Sequence, residues 1–146
     1  MMISTRGRYA LRVMIDLAEC CDGEYVSLKE IAERQEISRK YLESIMTTLS
    51  KAQLVDSSSG KTGGYRLVKE PEKYRVGDIL RAVEGDMAPV ACLCDTEPKC
   101  TRSDRCFTLP FWKGLADVID EYLDKHTLAE LVAEGHMSRE HCCGQQ

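Results

Sequence analysis

Residues 27–50 have the sequence SLKEIAERQEISRKYLESIMTTLS, and this stretch decides the fold. Ser27 and Glu30 form a Ser-x-x-Glu capping box, which predicts the start of a short helix. After a brief turn, Ser38 is the N-cap candidate of a longer helix with one apolar and one polar face. A short helix, a tight turn and a second helix make a helix-turn-helix, whose second helix can lie in a DNA major groove. A plain helical bundle has the same spacing and is the alternative.

A glycine-rich hairpin is predicted directly after this unit. Two strand-like runs, residues 53–59 and 65–68, are joined by Gly-Lys-Thr-Gly-Gly at 60–64. Glycines permit close approach of the backbone to another molecule, and Lys61 at the tip is placed for a phosphate or a minor groove. A nucleotide-binding phosphate loop is the rival, but there the glycines precede a helix rather than a strand. The hairpin favours a winged helix, a mainly α fold with a small β-hairpin wing.

The other predicted elements flank the helix-turn-helix and the wing, which are together called the reader. An amphipathic first helix at 5–21 has a basic start, and a short strand at 74–76 and a helix at 78–83 follow the wing. A helix at 111–125 has a broad apolar stripe that needs a partner surface, and a second capping box begins a last helix through Val132. The predicted divisions are a winged helix-turn-helix domain at 1–86, a cysteine-rich loop at 87–110, a long helix and final helix at 111–134, and a flexible tail at 135–146.

Composition and charge narrow the function. The net charge of −4 divides into +2 for residues 1–81 and −6 for residues 82–146, so a polyanionic partner would bind the first part. The sequence lacks a long apolar run and the layout of a secretory signal, and we expect a cytoplasmic protein with no membrane partner. The three histidines lie at or beyond residue 126, which leaves no evident general base and argues against an enzyme.

Four cysteines cluster in the loop between these charged parts. Cys94, Cys100 and Cys106 are evenly spaced with five residues between neighbours, and Cys92 lies two residues before the first of them. In a reducing compartment such a cluster more often binds a metal centre than forms disulfides. The spacing is neither the pair of a zinc ribbon nor the run of a bacterial ferredoxin. It favours an iron-sulfur cluster, with zinc and free thiols as alternatives.

Several motifs, taken in order, resemble one family. They are ISTRGRYALR at 3–12, SRKYLE at 38–43, GGY at 63–65 and AVEG at 82–85. As far as Val132 the chain is similar to the bacterial winged-helix transcription regulators of the IscR, NsrR and CymR family. The resemblance implies a homodimer that pairs through the long C-terminal helix and binds a palindromic operator in double-stranded DNA. The implied dimer seam is Trp112, Leu115, Val118, Ile119, Tyr122 and Leu123.

The candidate DNA contacts come from three places. Arg6 and Arg8 lie at the basic start of the first helix, where they can touch phosphates or be solvated. The recognition helix begins at Ser38. In the wing, the arginine of IscR aligns with Ser59, which leaves Lys61 as the nearest cation. The full set is Arg6, Arg8, Ser27, Ser38, Arg39, Lys40, Tyr41, Glu43, Ser59, Lys61, Thr62 and Gly63.

The evenly spaced cysteines match the iron-sulfur loop of the IscR and NsrR branch, which CymR lacks. The resemblance implies a cluster, [2Fe-2S] favoured over [4Fe-4S], that controls operator binding in response to cluster supply, iron, oxygen or nitric oxide. The histidine ligand of IscR aligns with Leu109 and the carboxylate of NsrR with Arg8, so Cys92 is the candidate fourth ligand, with an acidic loop residue or a small thiol as other options. A regulator with a structural zinc or a thiol-redox switch is the alternative, and an electron-transfer protein is a third. The implied ligands are Cys94, Cys100 and Cys106.

Overall fold

The computed structural model describes residues 3–20, 22–95 and 99–143, with side chains described as far as residue 140. Within these residues the chain forms six α-helices and one antiparallel pair of strands. The predicted mainly α fold with a β-hairpin wing is confirmed. In chain order the elements are α1 (Thr5–Glu19), α2 (Leu28–Gln35), α3 (Arg39–Lys51), β1 (Val55–Ser58), β2 (Gly64–Leu67), α4 (Val76–Glu84), α5 (Leu109–Lys125) and α6 (Leu128–Cys143).

The helix-turn-helix forms as the sequence predicts. The Ser27 hydroxyl accepts a hydrogen bond from the Glu30 N–H, and the Glu30 carboxylate accepts one from the Ser27 N–H at 3.0 Å, so both halves of the capping box are present. Glu36 ends α2 in the left-handed backbone region, with φ of 54°, which makes the turn tight. Ser38 caps α3 by accepting from the Tyr41 N–H at 3.3 Å.

The apolar face of α3 lies at the centre of the core. Its four core side chains are completely buried in the cluster formed with α1 and α4, and each contributes roughly 1.5–3 kcal/mol by leaving water. Because this face is buried, the opposite face of the helix must point to solvent. The core side chains are Leu42, Ile45, Met46 and Leu49.

The short strand predicted at 74–76 is wrong. Tyr74 lies just before α4, and its carbonyl accepts from the Leu128 N–H at 2.9 Å, while the Val76 N–H donates to the His126 carbonyl at 3.0 Å. This segment therefore pairs with the linker between α5 and α6 and does not join the wing sheet. Tyr74 and Val76 are buried, and Arg75 between them is exposed. This alternation of apolar and polar residues does not by itself distinguish a partly buried linker from a strand.

The last helix is longer than predicted. The expected frayed tail begins at Gly135, but α6 continues to Cys143. A glycine inside a helix costs only about 1 kcal/mol relative to alanine, so neighbouring helix formers outweigh it. The helix is held against α1 by the fully buried Leu128 and by a contact of 3.2 Å between His136 Nε2 and Glu19 Oε1. Among the described residues, none of the helices has the length and apolar character that crossing a membrane requires.

Helix α5 buries part of the predicted dimer seam within its own chain. Leu123 is only 9 % exposed, and Ile119 packs beside it against Val76 and Leu80 of α4. The assignment of Leu123 to an intermolecular seam is thus corrected, because its side chain is already covered. A row of apolar side chains on a neighbouring face remains exposed, namely Phe111, Leu115, Val118 and Tyr122.

Candidate nucleic-acid interface and cysteine loop

The N-terminal end of α3 presents charged side chains to solvent. Arg39, Lys40 and Glu43 are exposed, as expected for residues that read a groove. Tyr41 is half-buried, and its ring meets the Tyr9 ring of α1 edge to face at 5.9 Å between centroids. The predicted recognition surface therefore consists of the three charged residues, with Tyr41 as a support.

Arg6 lies at the start of α1 as predicted, and its side chain is hydrogen-bonded to α3. Its guanidinium donates to the Ser44 hydroxyl at 2.8 Å, to the Ser44 carbonyl at 3.0 Å and to the Thr48 hydroxyl at 2.6 Å. These bonds attach the start of α1 to the middle of α3. Arg8 is exposed and donates to the Thr5 hydroxyl at 3.0 Å. Sequence analysis missed Ser44 and Thr48, whose place four residues apart on one helix face was the available signal.

The wing tip is exposed and tightly turned. Ser59, Lys61 and Thr62 project into solvent. The Gly63 N–H donates to the Gly60 carbonyl at 3.2 Å. A Cβ at Gly63 would lie 2.4 Å from the Ser58 carbonyl oxygen, so a side chain there would force the tip open. The remaining candidate, Ser27, is engaged in the capping box of α2.

Helix α4 connects the reader to α5. The Glu84 carboxylate accepts from the backbone N–H groups of Ser4 and Gly7, both at 3.0 Å, and so caps the start of α1. Arg81 donates to Asp124 at 2.6 Å and to Asp120 at 2.8 Å. These hydrogen bonds raise the pKa of Arg81 and lower the pKa of Asp124. Arg81 therefore joins α5 to α4, in addition to the apolar contacts of Leu123 and Ile119.

One carboxylate organises the beginning of the cysteine loop. Asp86 accepts from the Ala88 N–H at 2.8 Å and from the Asp95 N–H at 2.9 Å, and these two bonds, with a contact from the Cys94 thiol, lower its pKa. The Cys94 thiol also points to the Val90 carbonyl at 3.7 Å. Residues 91–93 form a single 3-10 turn, so the chain is not extended between the first two loop cysteines.

Three of the four loop cysteines line one pocket. Cys92, Cys100 and Cys106 border a cavity of about 370 Å³ at the start of α5, together with Leu109. Cys94 is not among the lining residues. Among the described residues, no three His, Cys, Asp or Glu side chains lie close enough to hold one metal ion. The pocket collects sulfur donors, but the three predicted ligands are not brought together.

The Cys106 thiol has the features of a reactive group. Its pKa is lowered, chiefly by a hydrogen bond with the Thr108 hydroxyl, 3.4 Å away, and further by the backbone N–H groups at the start of α5. Cys100 is exposed and Cys106 is half-buried. Thiolates are the form in which cysteines bind metals or react with oxidants, so this site is suited to either chemistry.

A helix-turn-helix with exposed charges and a glycine-tipped wing defines the class, a DNA-binding transcription regulator. A family model described as "Rrf2: Iron-dependent Transcriptional regulator" matches residues 3–134. Protein rrf2 of Nitratidesulfovibrio vulgaris is 37% identical over 143 residues, which are 98% of this chain and 95% of that protein. The chain belongs to the Rrf2 family of transcriptional regulators.

Two solved structures agree with this assignment. CymR of B. subtilis, described as a global cysteine regulator, has 37% identity and a TM-score of 0.74, covering 92% of this chain and 98% of that one. T. potens IscR has 36% identity and a TM-score of 0.71, covering 92% and 88%. Both comparisons extend over the reader and the C-terminal helices together.

Proposed function

We propose that this protein is a homodimeric repressor or activator whose operator binding is controlled by an iron-sulfur cluster in the cysteine loop. The observation that supports the proposal is the pocket at the start of α5, whose lining includes Cys92, Cys100 and Cys106. Soft thiolate ligands suit iron-sulfur centres, and the family description as iron-dependent agrees. The proposed ligands are Cys94, Cys100 and Cys106, with Cys92 as the fourth and [2Fe-2S] as the favoured cluster.

The residue types fit such a centre, but no three possible ligands among the described residues lie close enough to hold one ion, so the loop must rearrange around the cluster. Cys94 has to leave the Val90 carbonyl and the Asp86 carboxylate before its sulfur can join the others. The 3-10 turn at 91–93 supports the pairing of Cys92 with Cys94, because strand neighbours would point in opposite directions. A bound cluster would supply a centre that responds to iron supply or to oxidants.

Dimerisation is proposed through the exposed row on α5. Phe111, Val118 and Tyr122 are 66 %, 62 % and 65 % exposed, and Leu115 lies between them. Contiguous apolar surface of this kind marks an interaction site. In a symmetric dimer the two α3 helices would enter consecutive major grooves of a palindrome, with the wing tips in flanking minor grooves. Ordering the loop at the start of α5 would then bias the spacing of the two α3 helices.

Anaerobic purification tests the proposal. The expected result is a coloured protein containing iron and acid-labile sulfide, whose affinity for operator DNA changes when the cluster is removed by chelation. A colourless protein that contains stoichiometric zinc would indicate the structural-zinc regulator. Colour with no effect on DNA binding would remove the sensing role.

The lowered pKa of the Cys106 thiol favours a thiol-redox switch as the second candidate. In that case oxidation of the metal-free protein would join Cys106 to another pocket cysteine as a disulfide. Peptide mapping after peroxide treatment, with DNA affinity measured before and after reduction, separates this switch from the cluster.

A further inference from the structure

The wing is attached to the segment that precedes α2. The Val26 N–H donates to the Tyr65 carbonyl, and the Tyr65 N–H donates to the Val26 carbonyl, each at 2.8 Å, so Val26 pairs with β2 as a short third strand would. This close approach requires Gly64, because a Cβ there would lie 2.1 Å from the Val26 carbonyl oxygen. Strand β2 is therefore held on both of its edges.

Three side chains extend this attachment. Asp56 of β1 and Arg66 of β2 are directly opposite in the register and form an ion pair at 3.3 Å. The Tyr25 hydroxyl donates to Asp56 Oδ2 at 2.6 Å, and the Arg66 guanidinium lies 4.4 Å from the centre of the Tyr25 ring. Arg66 also donates to the Gly23 carbonyl at 3.1 Å. One tyrosine thus contacts a side chain from each strand of the wing.

These contacts restrict the direction of the wing more than they stabilise the folded protein. Both members of the ion pair are 42% exposed, and exposed pairs add little to the free energy of unfolding. The hairpin, in contrast, has only two strands of four residues, and such a hairpin has little stability of its own. The angle of the hairpin to the helix-turn-helix is set by what its base touches. Val26 pairs with β2 through its backbone, and Tyr25 contacts side chains of both strands. The Tyr74 hydroxyl also joins the Leu54 carbonyl to the Val68 N–H, and Val55 is buried in the core.

We infer that Tyr25, Asp56 and Arg66 are positioning residues, which fix the angle of the wing and thereby bring Lys61 to the DNA. Lys61 lies three residues beyond the end of β1 on the exposed tip of the wing. A small rotation at the base of the wing therefore displaces Lys61 more than it displaces the strand residues. This inference rests on the DNA-binding part of the proposed function and is independent of any cluster.

A double-mutant cycle tests this role with a duplex enriched from a random-sequence pool by the wild-type protein. Tyr25→Phe removes only the hydroxyl, and we expect a loss of affinity of about threefold to tenfold with a lower dependence on salt. In a Lys61→Ala background the same Tyr25→Phe change should have no effect, because the wing tip then has no cation to be positioned. A matched cycle with Arg39→Ala should be additive, since that residue lies on α3.

The outcomes separate the alternatives. Equal effects of Tyr25→Phe with and without Lys61 would assign the tyrosine a general structural role and overturn the inference. Wild-type affinity in Lys61→Ala, or in Tyr25→Phe alone, would overturn it as well, because the wing would then contribute no positioned contact. Failure of the wild-type protein to enrich any duplex would instead count against the proposed function.

Discussion

The guanidinium of Arg6 donates a 2.8 Å hydrogen bond to the hydroxyl of Ser44, and this contact joins the start of α1 to the exposed side of α3. A second bond of 2.6 Å reaches the Thr48 hydroxyl one turn further on. An arginine that is used in this way holds α3 in place, whereas the basic start of the helix predicts either a phosphate contact or a solvated side chain. The two roles of Arg6 differ in their effects on the free energy of unfolding and on DNA binding, and both effects can be measured.

Replacement of Arg6 by alanine should lower the free energy of unfolding by about 1–2 kcal/mol, since charged hydrogen bonds between two helices are lost. Thr48→Val should lower it by less, and the double variant should show less than the sum, as measured by urea denaturation. Arg8→Ala, an exposed neighbour on the same helix, is the control and should change it by less than about 0.5 kcal/mol. The logarithm of the DNA affinity should fall with the logarithm of the salt concentration at the same slope in Arg6→Ala as in the wild type. A slope that is smaller by about 1 would instead indicate a phosphate contact.

Alanine at Arg39 or Lys40 should weaken specific DNA binding by about 1–3 kcal/mol if the residue reads a base edge. Both are exposed in the first turn of α3, where helix-turn-helix proteins contact bases. Competition against duplexes with single base changes should show relaxed specificity at one position. Lys51→Ala, at the other end of the same helix, is the matched control. Unchanged affinity in both Arg39→Ala and Lys40→Ala would place the reading surface elsewhere.

Aspartate at Leu115 and Val118 together should convert the proposed dimer to a folded monomer. Burial of such side chains is worth roughly 1.5–3 kcal/mol each, and a charge there would lose this gain and add a desolvation cost. Sedimentation velocity measures the change, with circular dichroism to verify the fold. Ile119 is unsuitable for this test because it packs within its own chain. Asp117→Ala, on a different face of α5, should remain a dimer, and a dimer that persists in the double variant would rule out this seam.

The sequence predicts the reader well because each of its elements has a local signal. Ser27 and Glu30 mark the start of α2, and the glycines at 60–64 mark the wing. What it does not predict depends on contacts between distant segments. The hydrogen bond from Arg6 to Ser44 joins residues 38 positions apart, and the bond from Tyr25 to Asp56 joins residues 31 positions apart. A local sequence pattern cannot indicate contacts over such distances.

The site was predictable in its residue types but not in its arrangement. The four cysteines and their candidate chemistry follow from the spacing alone. Whether Cys92 or Cys94 turns toward the pocket depends on where Asp86 points, and this carboxylate is fixed by the backbone of Ala88 and Asp95. The bond from Ala88 is a local turn of a kind that aspartate favours, but the bond from Asp95 spans nine residues and has no local sequence signal.

In the metal-free protein, iodoacetamide should modify Cys92 faster than Cys94. Cys92 is exposed, whereas the Cys94 thiol is directed to the Val90 carbonyl and to Asp86. Asp86→Ala removes the carboxylate and should raise the Cys94 rate severalfold relative to Cys92, which serves as the internal reference in mass spectrometry. Asp104→Ala, another acidic residue of the loop, should leave the ratio unchanged. Equal rates in the wild type would show that Cys94 is not held back.

Alanine at Cys94, Cys100 or Cys106 should each abolish the anaerobic chromophore, because each removes one of the proposed cluster ligands. Cys20→Ala is the matched control. That thiol accepts from Arg34 at 3.7 Å, outside the loop, and its loss should leave iron and sulfide content unchanged.

Cys92→Ala is the more informative variant. Leu109 aligns with the histidine ligand of IscR, and Cys92 lines the same pocket as Cys100 and Cys106, so its thiolate is the proposed replacement. With Cys92 as the fourth ligand, the variant should lose most of its iron or show a shifted spectrum, since oxygen or nitrogen would replace sulfur on one iron. Full iron and sulfide content with an unaltered spectrum would eliminate Cys92. An oxygen, nitrogen or exogenous thiol ligand would then complete the site.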